Sequence, residues 1–415
     1  MELADVDLVD PDNFVSGRHH EMFALLRAQD PVHWSEPAGE APFWSITKLE
    51  DLRAVNRDTD TFSSELGGTQ RIDIANLDPD FDTRGVMLVD TDPPKHTRYR
   101  RIVNKGFTPR MIGMLETHLQ YRAELIVDEV IEAGSCDFVE DLAAELPLQA
   151  IVEMMGVPQE DRHLLFEWTN TMIGMSDPEY VVEDENAGRN AAMQLYIYSN
   201  ELAAKRREDP RDDLVTKLIN AEVEGEALTE EEFDMFMLLL SVAGSETTRT
   251  ATSHGIIALF DHPDQMAALQ ANLGDDDYVA RAIEEMVRWA TPVHHFRRTA
   301  TRDTELRGKK IREGDKVVMW HVSANRDEDA FEEPFSFDIE RSPNDHVAFG
   351  GGGAHFCLGA NLARAELRII FREILSRMPD LAPTGPPQYL RSTFVNGVKH
   401  LPVEFTPAQR KHPAA

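Results

Sequence analysis

Apolar residues along most of this 415-residue chain recur every three or four positions, the spacing that places them on one face of an α-helix. Strand-like stretches are short and lie near residues 32–46, 299–316 and 394–405. Length alone would suggest about two or three domains, yet no Gly/Ser-rich or Pro-rich linker and no internal repeat divides the chain. The pattern therefore predicts a mainly α protein with small β-sheets, folded as one domain over residues 11–405, with short tails at 1–10 and 406–415.

The longest predicted helix covers residues 229–261. Thr229 followed by Glu232 forms a capping-box signature at its start, and Pro263 closes its far end. A helix of this length spans roughly 50 Å. We therefore expect it to cross the whole domain.

Small residues interrupt the bulk of this helix near its middle. Ala243 and Gly244 remove side-chain volume there. The Thr247 hydroxyl can compete for the carbonyl oxygen four residues back, which would open a groove in the helix. In isolation, the same residues also suit a packing notch between helices, so both interpretations stay open at this point.

Candidate chemistry concentrates in a glycine-rich loop at residues 349–359, which holds Cys357, one of only two cysteines in the chain. Apolar residues at helical spacing follow the loop as far as Pro379. A helix N-terminus offers unpaired N–H groups and the positive end of the helix dipole, which lower the pKa of a thiol and favour metal binding. Glycines also let the backbone approach a flat ligand. The loop therefore predicts a metal-ligating thiolate beside a flat cofactor.

Two other interpretations fit a glycine-rich segment with a cysteine. A lone cysteine is usually a small buried hydrophobe, and glycines before a helix can bind phosphate. A Walker-type phosphate loop would end in Gly-Lys-Ser/Thr, and a dinucleotide-binding turn would follow an early βα unit; the sequence has neither context. The other cysteine, Cys136, is predicted in a polar turn after a helix, with no metal-ligand pattern around it.

The loop resembles the haem-binding signature of the cytochrome P-450 superfamily. Gly353, His355, Cys357 and Gly359 hold the positions of that signature, while the aromatic Phe349 lies one residue farther from the cysteine. The resemblance implies a fold in which an α-rich and a β-rich lobe enclose haem b, with Cys357 as the axial ligand of the iron. It also implies further haem contacts from Phe349, Gly350, Gly359 and Ala243.

The middle of the longest helix resembles the dioxygen-binding groove of the same superfamily. Residues 241–249 read Ser-Val-Ala-Gly-Ser-Glu-Thr-Thr-Arg. The resemblance implies that Glu246 and Thr247 are catalytic and relay protons to bound oxygen. We expect the acid and the alcohol to face the groove together.

A second predicted helix, residues 278–290, carries Glu285 and Arg288 three positions apart on one face. Alone, such a pair is most often a surface ion pair worth about 0–1 kcal/mol. In the superfamily the equivalent pair is joined by an arginine from a later loop, which implies Arg341 here. The resemblance thus implies a structural triad whose loss costs folding and haem incorporation.

Residues 93–115 carry Lys, Arg and His side chains and no acid. A basic run usually means a solvated face, and in a nuclear protein it can mean targeting. The segment also resembles the helix C of the superfamily, and we expect its remaining cations, with Lys105 and Arg364, to face an acidic electron carrier. The resemblance implies that four residues hold the haem propionates: His96, Arg100, Arg298 and His355.

Composition limits the partners of the protein. Lys and Arg total 42 against 74 Asp and Glu, a formal charge of −32, which disfavours general binding to nucleic acid or to an anionic membrane. The longest apolar run, residues 235–240, is far shorter than the roughly 18 residues of a membrane span. The N-terminus lacks a signal-peptide pattern, and two cysteines give no disulfide framework. We therefore expect a soluble, cytoplasmic protein with no membrane span.

Four segments, 134–142, 145–151, 156–162 and 394–402, look like those of actinobacterial sterol 26-monooxygenases and methyl-branched lipid ω-hydroxylases. That resemblance implies oxidation of the terminal carbon of a sterol side chain or a branched lipid. No charged group is placed to select a carboxylate or amine, although the segment 65–84 could contribute one. The residues expected to line the pocket are apolar: Val86, Leu88, Leu239, Val242, Ala243, Val293 and Val395.

The superfamily resemblance implies a haem-thiolate monooxygenase that uses dioxygen and electrons from NAD(P)H, delivered by a ferredoxin or similar redox protein and its reductase. A hydroxylase of a terpene, fatty acid or macrolide is an alternative within the same class. A peroxide-driven haem peroxygenase would not need Glu246 and Thr247. A non-catalytic haem sensor or lipid-binding protein would bind haem without NAD(P)H-driven turnover.

Overall fold

The computed structural model describes residues 1–72, 82–104, 107, 109–173, 177–180, 186–223 and 226–413. Helices dominate this part of the chain. In chain order they are α1 (Pro11–Val15), α2 (His19–Gln29), α3 (Leu49–Arg57), α4 (Lys95–Val103), α5 (Pro109–Ile131), α6 (Glu145–Met155), α7 (Arg162–Ile173), α8 (Ala187–Glu208), α9 (Leu214–Ile219), α10 (Glu230–Asp261), α11 (Pro263–Ala271), α12 (Asp276–Ala290), α13 (His321–Ala324) and α14 (Ala360–Arg377).

The strands are short and form small sheets. In chain order they are β1 (Val32–Ser35), β2 (Phe43–Ile46), β3 (Phe62–Ser63), β4 (Ser135–Asp137), β5 (Glu222–Val223), β6 (Glu226–Ala227), β7 (His295–Ala300), β8 (Thr304–Leu306), β9 (Lys309–Ile311), β10 (Lys316–Trp320), β11 (Ala382–Pro383), β12 (Gln388–Tyr389), β13 (Val398–His400) and β14 (Pro402–Glu404). The largest sheet has five strands in the order β1-β2-β10-β7-β3. The prediction of a mainly α protein with small sheets is confirmed.

Helix α10 runs through the centre of the helical core and packs against α6, α8, α12 and α14. The predicted capping box starts it: the Glu232 N–H donates to the Thr229 hydroxyl at 3.1 Å, and the Glu232 carboxylate accepts from the Thr229 N–H at 3.0 Å. Most of its side chains are buried. A helix enclosed on several sides can hold a chemical group at a fixed position inside the domain.

The five-stranded sheet is apolar on both faces. Side chains alternate along β10, so Val317 and Met319 pack with α3, while Val318 and Trp320 pack with α2. Strand β10 is parallel to β2 and antiparallel to β7. This sheet places β7 and α3 beside the glycine-rich loop.

Three local predictions differ from the structure. Helix α14 begins at Ala360, with Gly359 as its N-cap, so Cys357 precedes the helix. Helix α12 begins two residues before position 278, because the Asp275 carboxylate caps it by accepting from two backbone N–H groups. Cys136 lies in strand β4, paired with Val403 of β14, and not in a polar turn. Burial raises the pKa of its thiol to about 12.

Both ends of the described chain contact the domain. Leu8 is 3% exposed, and the Lys411 N–H donates to the Asp128 carboxylate at 2.9 Å. The division into a domain at 11–405 and two tails stays a prediction. Among the described residues, no helix has both the length and the hydropathy needed to cross a membrane.

Candidate functional site

Small side chains open one side of α10 at its middle. Ala243 is exposed there, and the Thr247 Oγ1 donates a hydrogen bond to the Ala243 carbonyl oxygen at 3.0 Å. The helix is continuous through this point, so the open side comes from the small Ala243 side chain and not from an interrupted backbone. Gly244 serves another contact, because a Cβ there would lie 2.8 Å from the Ile151 side chain of α6.

The Glu246 carboxylate and the Thr247 hydroxyl have different neighbours on α10, and their facing the groove together stays a prediction. Consecutive positions on a helix point about 100° apart. Glu246 is buried and ion-paired with Arg249 one turn further along α10. Its Oε1 has no hydrogen-bond partner in the part of the chain that the structure describes. An acceptor left free on this carboxylate could take part in proton transfer through a water.

Cys357 ends the glycine-rich loop two residues before the N-cap of α14. Its N–H donates to the Phe349 carbonyl oxygen at 2.9 Å, and the residue is exposed to solvent. Desolvation of the sulfur by the atoms around it raises the pKa of the thiol, while the N–H groups of Gly359 and Ala360 and the Arg100 and Arg364 cations act to lower it. The lowering expected from the helix terminus is therefore present, but burial outweighs it.

The glycines of the loop lie against α3. A Cβ on Gly351 would lie 3.0 Å from Leu52, and a Cβ on Gly353 would lie 3.2 Å from the Asn56 carbonyl oxygen. At these two positions the missing side chain makes room for α3, and contact between the loop and a flat ligand stays a prediction. Gly350 has φ +98°, a conformation that favours glycine. At Gly359 a Cβ would meet nothing within 4 Å, so space is open beside the cysteine.

Phe349 stacks against Arg364, whose guanidinium carbon lies 4.4 Å from the ring centroid. Arg364 donates hydrogen bonds of 2.5 and 2.9 Å to the Glu284 carboxylate, and the His346 ring lies 3.1 Å from the same group. Although burial opposes the change, these hydrogen bonds lower the pKa of Glu284 to about 2. Arg364 is thus engaged with an acid, which argues against its predicted role in attracting an acidic carrier.

The four residues predicted to hold the haem propionates converge from three parts of the fold. His96 and Arg100 lie on α4, Arg298 on β7 and His355 in the loop; the two imidazole rings have centroids 4.2 Å apart. Burial, aided by the nearby guanidiniums, lowers the pKa of His96 to about 4 and that of His355 to about 2. His96 Nε2 and Arg298 Nε are buried without a hydrogen-bond partner among the described residues. Such a cluster suits an anionic ligand.

Sequence reasoning missed the neighbours that orient this cluster. Asn56 of α3 accepts a hydrogen bond of 2.9 Å from Arg298, and the Ser64 hydroxyl lies 3.1 Å from His355 Nε2. Both residues are distant in sequence from their partners, and no motif marks them. The partner of Glu246 was recoverable, because Arg249 lies at the i+3 position of the same predicted helix.

The structure brings Glu285, Arg288 and Arg341 together. Arg288 donates two hydrogen bonds of 2.7 Å to the Glu285 carboxylate, and Arg341 Nε lies 3.2 Å from it. Arg288 also donates to the carbonyl oxygens of Asn325 and Pro334 at 2.8 and 3.0 Å. The pair is fully buried, not a surface ion pair, and it joins α12 to the segment that leads to the cysteine loop.

The predicted pocket residues do not all face open space. Leu88 is 4% exposed and packs in the helical core. Val293 and Val395 form a β-bridge. Within the segment 65–84, residues 73–81 lie outside the described residues, while Arg71 pairs with Glu40 and Arg84 with Asp82. Four predicted pocket residues are half-buried: Val86, Leu239, Val242 and Val293.

The basic segment is partly used inside the protein. Lys95 and Arg98 lie 4.0 and 3.8 Å from the Glu232 carboxylate of α10, and Arg100 donates to the Phe356 carbonyl oxygen. Arg101 is exposed on α4. Lys105, predicted at the same surface, lies outside the described residues.

The site and fold define the class of protein. The cytochrome P-450 family model matches residues 148–379, and the chain belongs to that family. Its relatives include a Steroid C26-monooxygenase of Mycobacterium tuberculosis, 44% identical over 413 residues, 96% of this chain and 92% of the relative. A Methyl-branched lipid omega-hydroxylase of the same organism is 41% identical over 394 residues, 92% and 90% of the two chains. The protein is therefore a cytochrome P-450 monooxygenase.

Solved structures share the architecture. A Mycobacterium marinum cytochrome P-450 in complex with pseudoionone has a TM-score of 0.90 and 40% identity, covering 97% of this chain and 98% of that chain. A Bacillus megaterium cytochrome P-450 in complex with corticosterone has a TM-score of 0.82 and 31% identity, with coverages of 95% and 99%. These matches confirm the predicted cytochrome P-450 fold.

Membership of this family implies a haem iron, and the residues present fit that group. The Cys357 sulfur is accessible beside the open space at Gly359. Two buried nitrogen atoms, His96 Nε2 and Arg298 Nε, have no hydrogen-bond partner in the described structure. The propionate groups of haem are anionic and would supply acceptors for both.

Proposed function

We propose that this protein hydroxylates the terminal carbon of a sterol side chain or of a methyl-branched lipid. The observation that carries the proposal is its similarity, over nearly the whole chain, to relatives named for that chemistry. The half-buried residues expected at the pocket, Leu239, Val242 and Val293, are all apolar. Affinity for such a substrate would come mainly from hydrocarbon burial, at about 25 cal/mol per Å².

Attack at a terminal carbon needs a shaped channel. Terminal methyl C–H bonds are stronger than those of neighbouring carbons, so the pocket has to present the chain end and hold the rest of the substrate away. The paired backbones at Val293 and Val395 form a fixed wall that can serve this purpose.

In this proposal, the cysteine and the basic cluster bind different parts of haem b. Cys357 would hold the haem iron through its thiolate, while His96, Arg100, Arg298 and His355 would bind the propionates. When bound, haem supplies the activation of dioxygen. The Cys357 thiolate would donate electron density to the group it holds.

The Thr247 hydroxyl is the proposed last donor in a proton relay that begins at Glu246. It faces the open side of α10 and is anchored by its own hydrogen bond to Ala243. The buried Glu246 carboxylate would resupply the proton through a water, with Arg249 fixing its position. In this arrangement protons would pass one at a time from Glu246 to Thr247. The apolar residues of the pocket would keep bulk water away from the reacting centre.

Electrons would come from NAD(P)H through a ferredoxin or similar carrier and its reductase. The chain has a formal charge of −32, so an acidic carrier needs a local basic surface. The exposed Arg101 lies on the same helix as His96 and Arg100 and marks the proposed surface. A cytoplasmic location, where carriers of this kind are kept reduced, fits a chain with only two cysteines.

The experiment that tests the proposal compares cholest-4-en-3-one with androst-4-ene-3,17-dione, which has the same ring system without the side chain. We expect the first to shift the haem to high spin and to give a product oxidised at its terminal carbon, located by mass spectrometry. The second should give no such product. Oxidation of the rings in both compounds, or no response to any sterol or branched lipid, would refute the substrate assignment.

A second candidate is a terpenoid. The Mycobacterium marinum relative was solved with pseudoionone, an apolar branched chain that suits the same kind of wall. Tight binding and turnover of pseudoionone, with no turnover of cholest-4-en-3-one, would favour this candidate. A fatty acid or a macrolide is tested in the same screen. A non-catalytic haem protein would show no NAD(P)H-driven product with any of them.

A further inference from the structure

A cavity of about 290 Å³ lies apart from the cysteine loop and the basic cluster. Its walls come from the segment joining α1 to α2, from His254 of α10, from the end of α12 and from residues 389–396. Val395, whose backbone pairs with Val293, contributes to the wall. The cavity therefore lies against the hairpin that carries part of the predicted substrate pocket.

A buried arginine without an acidic partner lines this cavity. Arg326 is 3% exposed and donates to the carbonyl oxygens of Arg288 and Trp289 at 3.2 and 2.9 Å. Its guanidinium carbon lies 4.3 Å from the Trp289 ring centroid. Among the described residues it forms no ion pair; the Glu285 carboxylate attracts it from farther away, but that carboxylate is already paired with Arg288 and Arg341. Buried arginines are normally paired with an acid, so the cavity carries an excess of positive charge.

Two buried histidines add unsatisfied ring nitrogens. His19 is 4% exposed and His294 is 1% exposed, and their ring centroids are 5.6 Å apart. His19 Nε2 and His294 Nδ1 have no hydrogen-bond partner within the described structure. Burial, with neighbouring imidazoles and Arg326, lowers the pKa of His19 to about 4. His19 Nδ1 donates to the Asn13 carbonyl oxygen at 3.2 Å, so its Nε2 becomes a donor only when the ring takes up a second proton, which a bound carboxylate would favour. The neutral His294 ring has a tautomer in which Nδ1 donates, and a carboxylate would satisfy that buried atom.

The rest of the wall is largely apolar. Phe14 stacks on His19 with ring centroids 4.7 Å apart and an interplanar angle of 11°. Trp289, Leu390 and Val395 complete this side. A volume near the lower end of ligand pockets fits a molecule of about ten non-hydrogen atoms. A bare inorganic anion would leave this apolar surface uncovered.

We propose that this cavity binds a small organic monocarboxylate, with its carboxylate at Arg326, His19 and His294 and its apolar body against Phe14 and Trp289. The proposal is independent of the substrate of the enzyme, because neither Cys357 nor Thr247 lines the cavity. It assigns the protein a second ligand site for an anionic molecule.

Calorimetric titration of the haem-loaded protein tests the proposal, with phenylacetate as the probe. We expect phenylacetate to bind about tenfold or more tightly than 2-phenylethanol, a neutral molecule of similar size, since hydrogen bonds to charged groups exceed neutral ones. The Soret band should stay unchanged during the titration. Equal binding of the two compounds, equal binding of inorganic phosphate, no binding of phenylacetate, or a Soret shift on binding would overturn the proposal.

Two variants locate the site. His19→Phe keeps the stacking surface for Phe14 and removes both ring nitrogens, and His294→Phe does the same at the second position. Each should weaken phenylacetate binding about tenfold or more, while its haem content matches that of the wild type. His163→Phe, exposed on α7, is the matched control and should bind as the wild type does. Unchanged affinity in both cavity variants would place the carboxylate elsewhere and refute the assignment.

Discussion

Glu366 of α14 gives the protein a dependence of stability on pH that a single substitution should remove. The residue is 1% exposed, and its Oε1 has no hydrogen-bond partner among the described residues. Burial raises the pKa of its carboxyl from 4.5 to about 8, although a hydrogen bond from Thr248 opposes the change. The carboxyl is therefore protonated in the folded protein at neutral pH and ionised in the unfolded chain.

The sign of the effect follows from proton binding. Between pH 4.5 and pH 8 the unfolded chain binds fewer protons than the folded protein, so the free energy of unfolding falls as pH rises. One proton gives a slope of about 1.4 kcal/mol per pH unit, and across this interval the loss reaches about 5 kcal/mol. Glu366→Gln keeps the shape of the side chain and cannot ionise. We expect it to match the wild type near pH 5 and to exceed its stability increasingly towards pH 8.

The assay is urea unfolding of the haem-loaded proteins at pH 5, 6, 7 and 8, followed by circular dichroism and by the Soret band. Glu373→Gln is the matched control on the same helix. Glu373 is ion-paired with Arg377 and Lys411, so its substitution should destabilise the protein and give the opposite sign. Parallel pH curves for the wild type and Glu366→Gln would refute the reasoning.

Three further predictions concern the catalytic centre and its surroundings. Thr247→Ala should keep substrate binding and electron consumption but divert reducing equivalents to peroxide, with product formation down about 10²-fold or more; normal coupling would leave Thr247 a packing residue. Glu285→Gln should cost about 3–5 kcal/mol of stability, because Arg288 stays buried without its acid. The purified variant should therefore hold less haem, and a normal haem content would contradict this prediction. Arg101→Glu should slow reduction by an acidic carrier, as added salt should; a rate indifferent to both would place docking elsewhere.

Local signals in the sequence predicted the elements that depend on local interactions. The capping box at Thr229 and Glu232 marked the start of α10 correctly, because both of its hydrogen bonds lie within four residues. The pairing of Glu285 with Arg288 followed from their spacing on one turn. The role of Arg341 came from the family resemblance, since no local pattern joins it to α12.

Contacts between distant segments could not be read from local patterns. The glycines of the cysteine loop admit α3, almost three hundred residues earlier in the chain. That Glu246 and Thr247 face the groove together stays a prediction, because neighbouring helix positions diverge by about 100° and adjacency in sequence does not fix a shared face. The strand that holds Cys136 has no local signal in the sequence, because its partner among the described residues is β14, near the other end of the chain. The sequence predicts that Arg364 faces an acidic electron carrier, whereas the structure pairs it with Glu284, which lies 80 residues earlier in the chain.

The central claim is that Cys357 supplies the thiolate that ligates the haem. The most direct measurement is the absorption spectrum of the reduced protein under carbon monoxide, for the wild type, Cys357→Ser and Cys136→Ser. The account predicts the red-shifted Soret band of a thiolate-ligated haem in the wild type and in Cys136→Ser, and its loss in Cys357→Ser. An unchanged band in Cys357→Ser, or its loss in Cys136→Ser, would contradict the assignment.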